Sequence, residues 1–279
     1  MIEIFAKEID REVPEQLQGL VLAFILGETT KRIQERIPMY PTGFPLLVNI
    51  FGSLPEITIN EKKIKIESRT IVAGQIFNTK IHSDFQGVFG QIGIILHPSA
   101  PYYLFHQSGE ILKNMWTSFE EICPVNTDSL IENLSDLNLS NKERLDQLVS
   151  FLTVLESQRL PCILWLEDSI ARIFEQNGNI DQKELLVNSG ICPRHFRRVF
   201  KKIIGVSPKY FCKVVQMNTA FESIKNSESV DLHHIALDCG YYDQAHFIND
   251  FRGMFGVSPE KFLSGEDAYL KNYMGRRGT

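Results

Sequence analysis

The heptapeptide GVSPKYF, Gly205–Phe211, returns as GVSPEKF at Gly256–Phe262, 51 positions later. Gly205 and Gly256 suit the left-handed position just past a helix end, where the missing Cβ removes the steric penalty. Ser207 and Ser258 suit N-caps, and the prolines that follow suit the first helical position, where an N–H has no partner anyway. The echo therefore predicts a helix stop and a helix start, spelled twice.

Upstream of each copy the likeness continues. Phe196 aligns with Phe247 and Phe200 with Phe251 at the same offset. With one residue less, Ile180-Asp181 aligns with Val230-Asp231, Leu185-Leu186 with Ile235-Ala236 and Gly190 with Gly240. Each copy reads as an Asp-capped helix, a glycine turn, and a second helix with apolar anchors four residues apart. That is the pattern of a helix-turn-helix unit, and a helix from Pro208 to about Lys225 joins the two. An all-α bundle with an internal duplication and no nucleic-acid role would share the pattern, so the surface residues must decide.

In the first copy the second helix is PRHFRRVFKKIIG. Phe196, Val199, Phe200 and Ile203 fall on one face. Arg194, Arg197 and Arg198 fall on the other, at i, i+3 and i+4. Three adjacent guanidiniums repel one another unless an anion faces them. Arginine also reads guanine O6 and N7 bidentately in the major groove. Lys201 and Lys202 extend the charge and suit phosphates. A solvated basic face is the plain alternative for such a trio, and the helix-turn-helix context disfavours it. In the second copy the aligned residues are Ala245, Ile248 and Asn249. Gln244 and Asn249 suit adenine, Ala245 or Ile248 a thymine methyl, and His246 and Arg252 phosphate. Asp243 is expected to cap this helix. Its aligned partner is Cys192, read as a small filler in preference to a redox switch. Tyr241 and Tyr242 read as packing and turn residues.

Charge is divided unevenly. The chain of 279 residues carries a net charge of -5, yet Gly178 to the end holds 14 Lys/Arg against 11 Asp/Glu, a balance of +3. The preceding residues balance at -8. This asymmetry fits an anion-binding module attached to a part that does not meet anions. Hydrophobic residues make up 43% and charged residues 23%, which excludes wholesale disorder. The longest apolar runs, such as Gly19–Gly27, are too short to cross a bilayer. The beginning, MIEIFAKEIDREVPEQ, does not read as a signal peptide. Five dispersed cysteines without CxxC spacing point to reduced thiols and a cytoplasmic protein.

From about Gly19 to His97 the sequence is a run of short β-like segments: GLVLAFILGE, FPLLVNIFG, EITINEKKIKIES, RTIVAGQIF and VFGQIGIILH. Ile57, Ile59, Ile64 and Ile66 alternate around a polar Asn60–Lys63 turn, a predicted hairpin. Helical spacing follows around Pro101–Glu110, Asn126–Leu137, Lys142–Arg159 and Cys162–Gln176. In the third, Leu145, Leu148, Val149, Leu152 and Leu155 form one stripe, expected to pack in a dimer or on the sheet domain. Ser140 or Asn141 is the candidate cap, and Pro161 the stop.

The segment Asn188 to Phe262, above all SGICPRHFRRVFKKIIGVSPKYF and LDCGYYDQAHFINDFRGMFGVSPEKF, resembles the DNA-binding domain of AraC/XylS-type transcriptional regulators. The resemblance implies two helix-turn-helix units on a linker helix, whose recognition helices enter successive major-groove segments of duplex DNA. Carried over, the base-reading positions are Arg194, Arg197 and Arg198, with Gln244, Ala245 and Asn249. Cys192 at the first cap and the non-basic second face depart from the family pattern. The N-terminal part, with YPTGFPLLVNIFG, IVAGQI and GIILHPSAPYYLF, is similar to cupin-like sensor domains. That likeness implies binding of a small-molecule effector and dimerisation through the following helices. RNA polymerase is a candidate partner of such a regulator.

The expected fold class is thus α+β: a β-rich cupin-like domain over residues 1–125, a helical connector over 126–177, and a tandem helix-turn-helix domain over 178–265. No cofactor and no metal site are expected, and the chain is not read as an enzyme. A metal-dependent cupin-type enzyme is one alternative, for which His82, His97 and His106 are the available histidines, without an HxH pair. A helical module for a protein partner is the other. Phe51, Phe77 and Phe89 are candidate pocket-lining residues.

Overall fold

The computed structural model describes residues 7–136, 138–187, 190–226 and 231–263. The start of the acidic N-terminal stretch, and Val230 of the aligned pairs, lie outside these residues. The chain divides into two compact units. Among described residues, the first holds 7–39, 44–162 and 202–205, and the second holds 40–43, 163–201 and 206–263.

The first unit is built on ten strands: β1 (Lys7–Glu8), β2 (Val21–Glu28), β3 (Ile33–Met39), β4 (Leu46–Ile50), β5 (Glu56–Ile59), β6 (Lys62–Lys65), β7 (Thr70–Ala73), β8 (Ile81–Gly87), β9 (Gly90–Leu96) and β10 (Trp116–Ser118). They form a six-stranded sheet in the order β1-β2-β9-β4-β7-β10 and a four-stranded sheet in the order β3-β8-β5-β6. Every pairing in both is antiparallel. The predicted hairpin is β5–β6, with Ile57 opposite Ile64. Its turn places Asn60 and Glu61 at φ 46° and 65°, the left-handed geometry that a two-residue hairpin turn requires.

Two long strands are not apparent from the sequence pattern. In β3, IQERIPM, Pro38 and the charged Glu35 and Arg36 mask the pattern. This strand lies at a sheet edge, where a residue without an N–H is tolerated. In β8, IHSDFQG, polar residues hide a regular alternation in which Ile81, Ser83 and Phe85 are buried.

Helices cover the larger sheet: α1 (Ala100–Phe105), α2 (Gly109–Leu112), α3 (Phe119–Ile122), α4 (Asp128–Leu134) and α5 (Asn141–Glu156). Leu145, Leu148, Val149, Leu152 and Leu155 of α5 join a core with Phe24 of β2, Leu47 of β4, Val72 of β7, and Ile92, Ile94 and Leu96 of β9. Of the two partners expected for the stripe, the sheet domain of the same chain is the one it meets. Ser140 closes the helix start as a full capping box with Glu143. Arg144, buried at its second turn, donates to the carbonyl of Leu134 at 2.6 Å and to that of Asp136, and lies 5.0 Å over the Phe51 ring. It thereby satisfies the carbonyls around the end of α4, and nothing in the sequence marks it as a buried cation.

The second unit holds α6 (Leu164–Glu175), α7 (Gln182–Leu186), most of α8 (Pro193–Ile204), α9 (Pro208–Asn226), α10 (Leu232–Asp238), α11 (Gln244–Phe255) and α12 (Pro259–Leu263). The α+β class and the β-rich N-terminal half are as the sequence predicts. Among the described residues no helix is long and apolar enough to cross a membrane.

Candidate nucleic-acid interface

Each of the two helix pairs, α7–α8 and α10–α11, is set by local chemistry. Asp181 accepts from the Lys183 amide at 2.8 Å, and Asp231 from the amides of His233 and His234. These two bonds hold the Asp231 carboxyl below its usual pKa. Gly190 and Gly240 take φ of 66° and 77° in the two turns. Asp243 accepts from the His246 amide at 2.7 Å and so caps α11 as expected. Gly205 and Gly256 follow α8 and α11 at φ 92° and 77°, and Ser207 and Ser258 accept from the amides of Tyr210 and Lys261. Both copies of the repeated heptapeptide therefore stop one helix and start the next.

The second helix of each pair is anchored by aromatic rings. In the first, Phe196 and Phe200 are fully buried, with centroids 5.8 Å apart. Trp165 of α6 meets Phe196 at 5.6 Å, while Phe211 of α9 meets Phe200 at 5.8 Å and Phe174 at 5.7 Å. In the second, Phe247, Phe251 and Phe255 are buried with Met217, Phe221, Ile235, Ala236 and Tyr241. Burial raises the Tyr241 hydroxyl well above its ordinary range, with Asp250 adding to the shift.

Arg194, Arg197 and Arg198 all stand exposed on α8. Arg197 donates from Nε to the Pro193 carbonyl at 3.1 Å, and Arg198 donates to Nδ1 of His195 at 3.1 Å. Among the described residues none of the three has a carboxylate within 4 Å. Lys201 is exposed on the same helix. Lys202 is exposed too but groups with the first unit, where its Nζ lies 5.8 Å from the Tyr102 ring and its carbonyl accepts from Ser108. The three arginines, Lys201 and Lys202 are therefore all exposed on one helix, and Lys202 also meets the Tyr102 ring.

On α11, Ala245, His246, Asn249 and Arg252 are exposed and Gln244 is half-buried. His246 Nε2 lies 3.6 Å from Asp250, which also holds Lys213 of α9 at 2.6 Å. Ile248 packs against the second core, so its side chain is spent on folding. Tyr242, a turn residue by its sequence, is 92% exposed immediately before the Asp243 cap. His195, which orients Arg198, carries no sequence signal of its own, because a histidine inside an arginine cluster reads as one more basic residue.

In the first unit the available histidines sit apart in role. His97 bonds Ser99 through Nδ1 at 2.7 Å, and His106 Nε2 lies 3.2 Å from the Gln158 carbonyl. His82 stands on β8, opposite Pro38 and Thr58. Phe89 is buried edge-on to Phe85 at 4.5 Å, Phe51 lies under Arg144, and Phe77 lies 5.3 Å from the Lys113 ammonium.

Two helix-turn-helix pairs joined by one linker helix, with a cationic face on the first, define a tandem helix-turn-helix module of the DNA-binding class. A family described as "Helix-turn-helix domain" matches residues 188–265. A curated relative, the HTH-type transcriptional activator RhaS of Escherichia fergusonii, is 30% identical over 109 residues, or 39% of this chain and 37% of that protein. Its namesake in Escherichia coli O157:H7 is 28% identical over 132 residues, or 47% of this chain and 42% of that protein. The chain spans about two-fifths of the length of these relatives.

Two solved structures are also similar. One is the DNA-binding domain of AdpA in complex with a target DNA (TM-score 0.34, 21% identity, 37% of this chain and 93% of that one). The other is ToxT from Vibrio cholerae O395 bound to (E)-4-(8-methylnaphthalen-1-yl)but-3-enoic acid (TM-score 0.48, 10% identity, 84% and 99%). Over residues 188–265 this chain is thus similar to the helix-turn-helix domains of transcriptional activators.

Proposed function

We propose that this protein is a transcriptional regulator that binds duplex DNA sequence-specifically through α8 and α11. The observation that carries the reading is the exposed trio Arg194, Arg197 and Arg198, held side by side on a helix with no carboxylate beside it among the described residues. Such a face is electrostatically costly until it meets an anion, and its spacing suits guanine edges. Lys201, His246 and Arg252 take phosphates, as does Lys202 once freed from Tyr102. Gln244, Ala245 and Asn249 read the second segment with contacts that carry less charge.

The residues 1–125 are assigned to sensing a small-molecule effector, 126–177 to connection and homodimer formation, and 178–265 to DNA. The chain acts by binding and not by catalysis, in the cytoplasm, with RNA polymerase as the partner of the bound complex. Selection of bound fragments from genomic DNA, followed by titration at several salt concentrations, tests the proposal. Binding whose logarithm falls linearly with the logarithm of salt concentration supports it. Salt-independent or undetectable binding to every fragment refutes it.

A further inference from the structure

The second helix-turn-helix pair is completed by four residues from far away in the chain. Tyr40–Gly43 joins β3 to β4 in sequence, yet it groups with the second unit. Tyr40 is 8% exposed and belongs to the core that holds Phe247, Phe251 and Phe255. Its ring meets Phe255 edge-on, with centroids 5.4 Å apart. Two residues on, the Thr42 carbonyl accepts from Asn218 Nδ2 of α9 at 2.7 Å, and Asn218 is itself buried. Gly43 then lies against Phe211 and Val214 at φ 84°, a conformation that glycine adopts without strain. Thus Thr42 and Gly43 follow one stripe of the linker helix, at 211, 214 and 218, while Tyr40 reaches the aromatic cluster behind α11.

The two copies differ in a matching way. The first recognition helix is backed by Trp165 of α6, a neighbour in sequence, through Phe196. The second has Tyr40 in the corresponding role, packed on the last aromatic ring of α11. A helix whose core anchor is removed loses burial and gains alternative side-chain arrangements, so its exposed face is no longer fixed.

We propose that Tyr40–Gly43 is a positioning element of the second helix-turn-helix unit, and that α11 presents its reading face only while this segment is seated. The inference deepens the reading of α11 as a recognition helix and rests on it for the DNA consequence. Tyr40 is a positioning residue and touches no base.

The test uses the full chain. Amide hydrogen exchange is compared for wild type, Tyr40→Ala and Tyr40→Phe without DNA, and footprints are then taken on a selected site. The expected result for Tyr40→Ala is exchange at least about tenfold faster in α10 and α11, with α8 unchanged. Footprint protection is then lost over the segment read by α11 and kept over the one read by α8. Tyr40→Phe keeps the ring and restores both. Trp165 emission, read in a Trp116→Phe background, stays native throughout. Unchanged exchange in α11 overturns the inference, and so does equal loosening of α8 and α11 with altered Trp165 emission. If wild type itself fails to bind DNA, the functional reading falls, while the exchange data still decide whether Tyr40 positions α11.

Discussion

Arg198 donates a hydrogen bond to Nδ1 of His195, 3.1 Å away and one turn earlier on the same helix. The bond fixes the imidazole as an acceptor at Nδ1 and draws the guanidinium along the face that already carries Arg194. Arg197 is tied back to the Pro193 carbonyl, so both side chains are oriented before any ligand arrives. Pre-orientation lowers the entropy cost of each base contact. Arg197→Ala and Arg198→Ala are each expected to weaken binding to a selected site by about 1–3 kcal/mol and to relax one base position. Competition against single-base variants of the site checks this. A loss that is uniform over all variants would make the arginine a phosphate contact instead.

Leu152 is fully buried in the core that α5 shares with the larger sheet. Leu152→Ala should therefore destabilise the first unit by about 2–5 kcal/mol, the range for a leucine cavity. Sedimentation at matched concentration should give the wild-type oligomeric state. A changed state with unchanged stability would put the stripe in an interface between copies and not in the core of one chain.

Arg144 leaves two carbonyls near the end of α4 without their donor when it is removed. Arg144→Met keeps the volume and loses the hydrogen bonds, at an expected cost of about 2–4 kcal/mol in denaturant unfolding. A neutral outcome would show that solvent reaches those carbonyls.

Burial lowers the pKa of His97 from 6.5 to about 4. Between those values the unfolded chain binds a proton that the folded chain does not, so acid favours unfolding. The contribution of His97 is fully present above about pH 6.5 and is lost as pH falls toward 4. Over that window the first unit should lose about 3 kcal/mol from this group. Urea midpoints measured from pH 7.5 down to pH 4.5 test the slope, and His97→Asn should flatten it. A wild-type slope unaltered by the substitution would assign the effect to other groups.

The C-terminal half was legible in the sequence because its signals are local. Aspartate caps, glycine stops and Ser-Pro starts lie within a few residues of what they control, and the repeat states them twice. The basic trio was legible for the same reason, since helical spacing alone puts it on one face. The sheet domain was legible wherever apolar residues run together, as in β2, β4 and β9. It was not legible in β3 and β8, whose pairing with each other makes strands of mixed polar sequence. Arg144 and Tyr40 were hidden for a different reason. Arg144 depends on carbonyls 8 and 10 residues away and on the distant Phe51 ring, and Tyr40 on a ring about 215 residues away. No periodicity records such contacts.

Two recognition helices on one linker should read one DNA face in neighbouring major-groove segments. Hydroxyl-radical footprinting on a selected site tests it most directly. Two protected stretches about one helical turn apart on one face are expected, with Arg197→Ala affecting only one of them. A single protected stretch in wild type, or none at low salt, would contradict it.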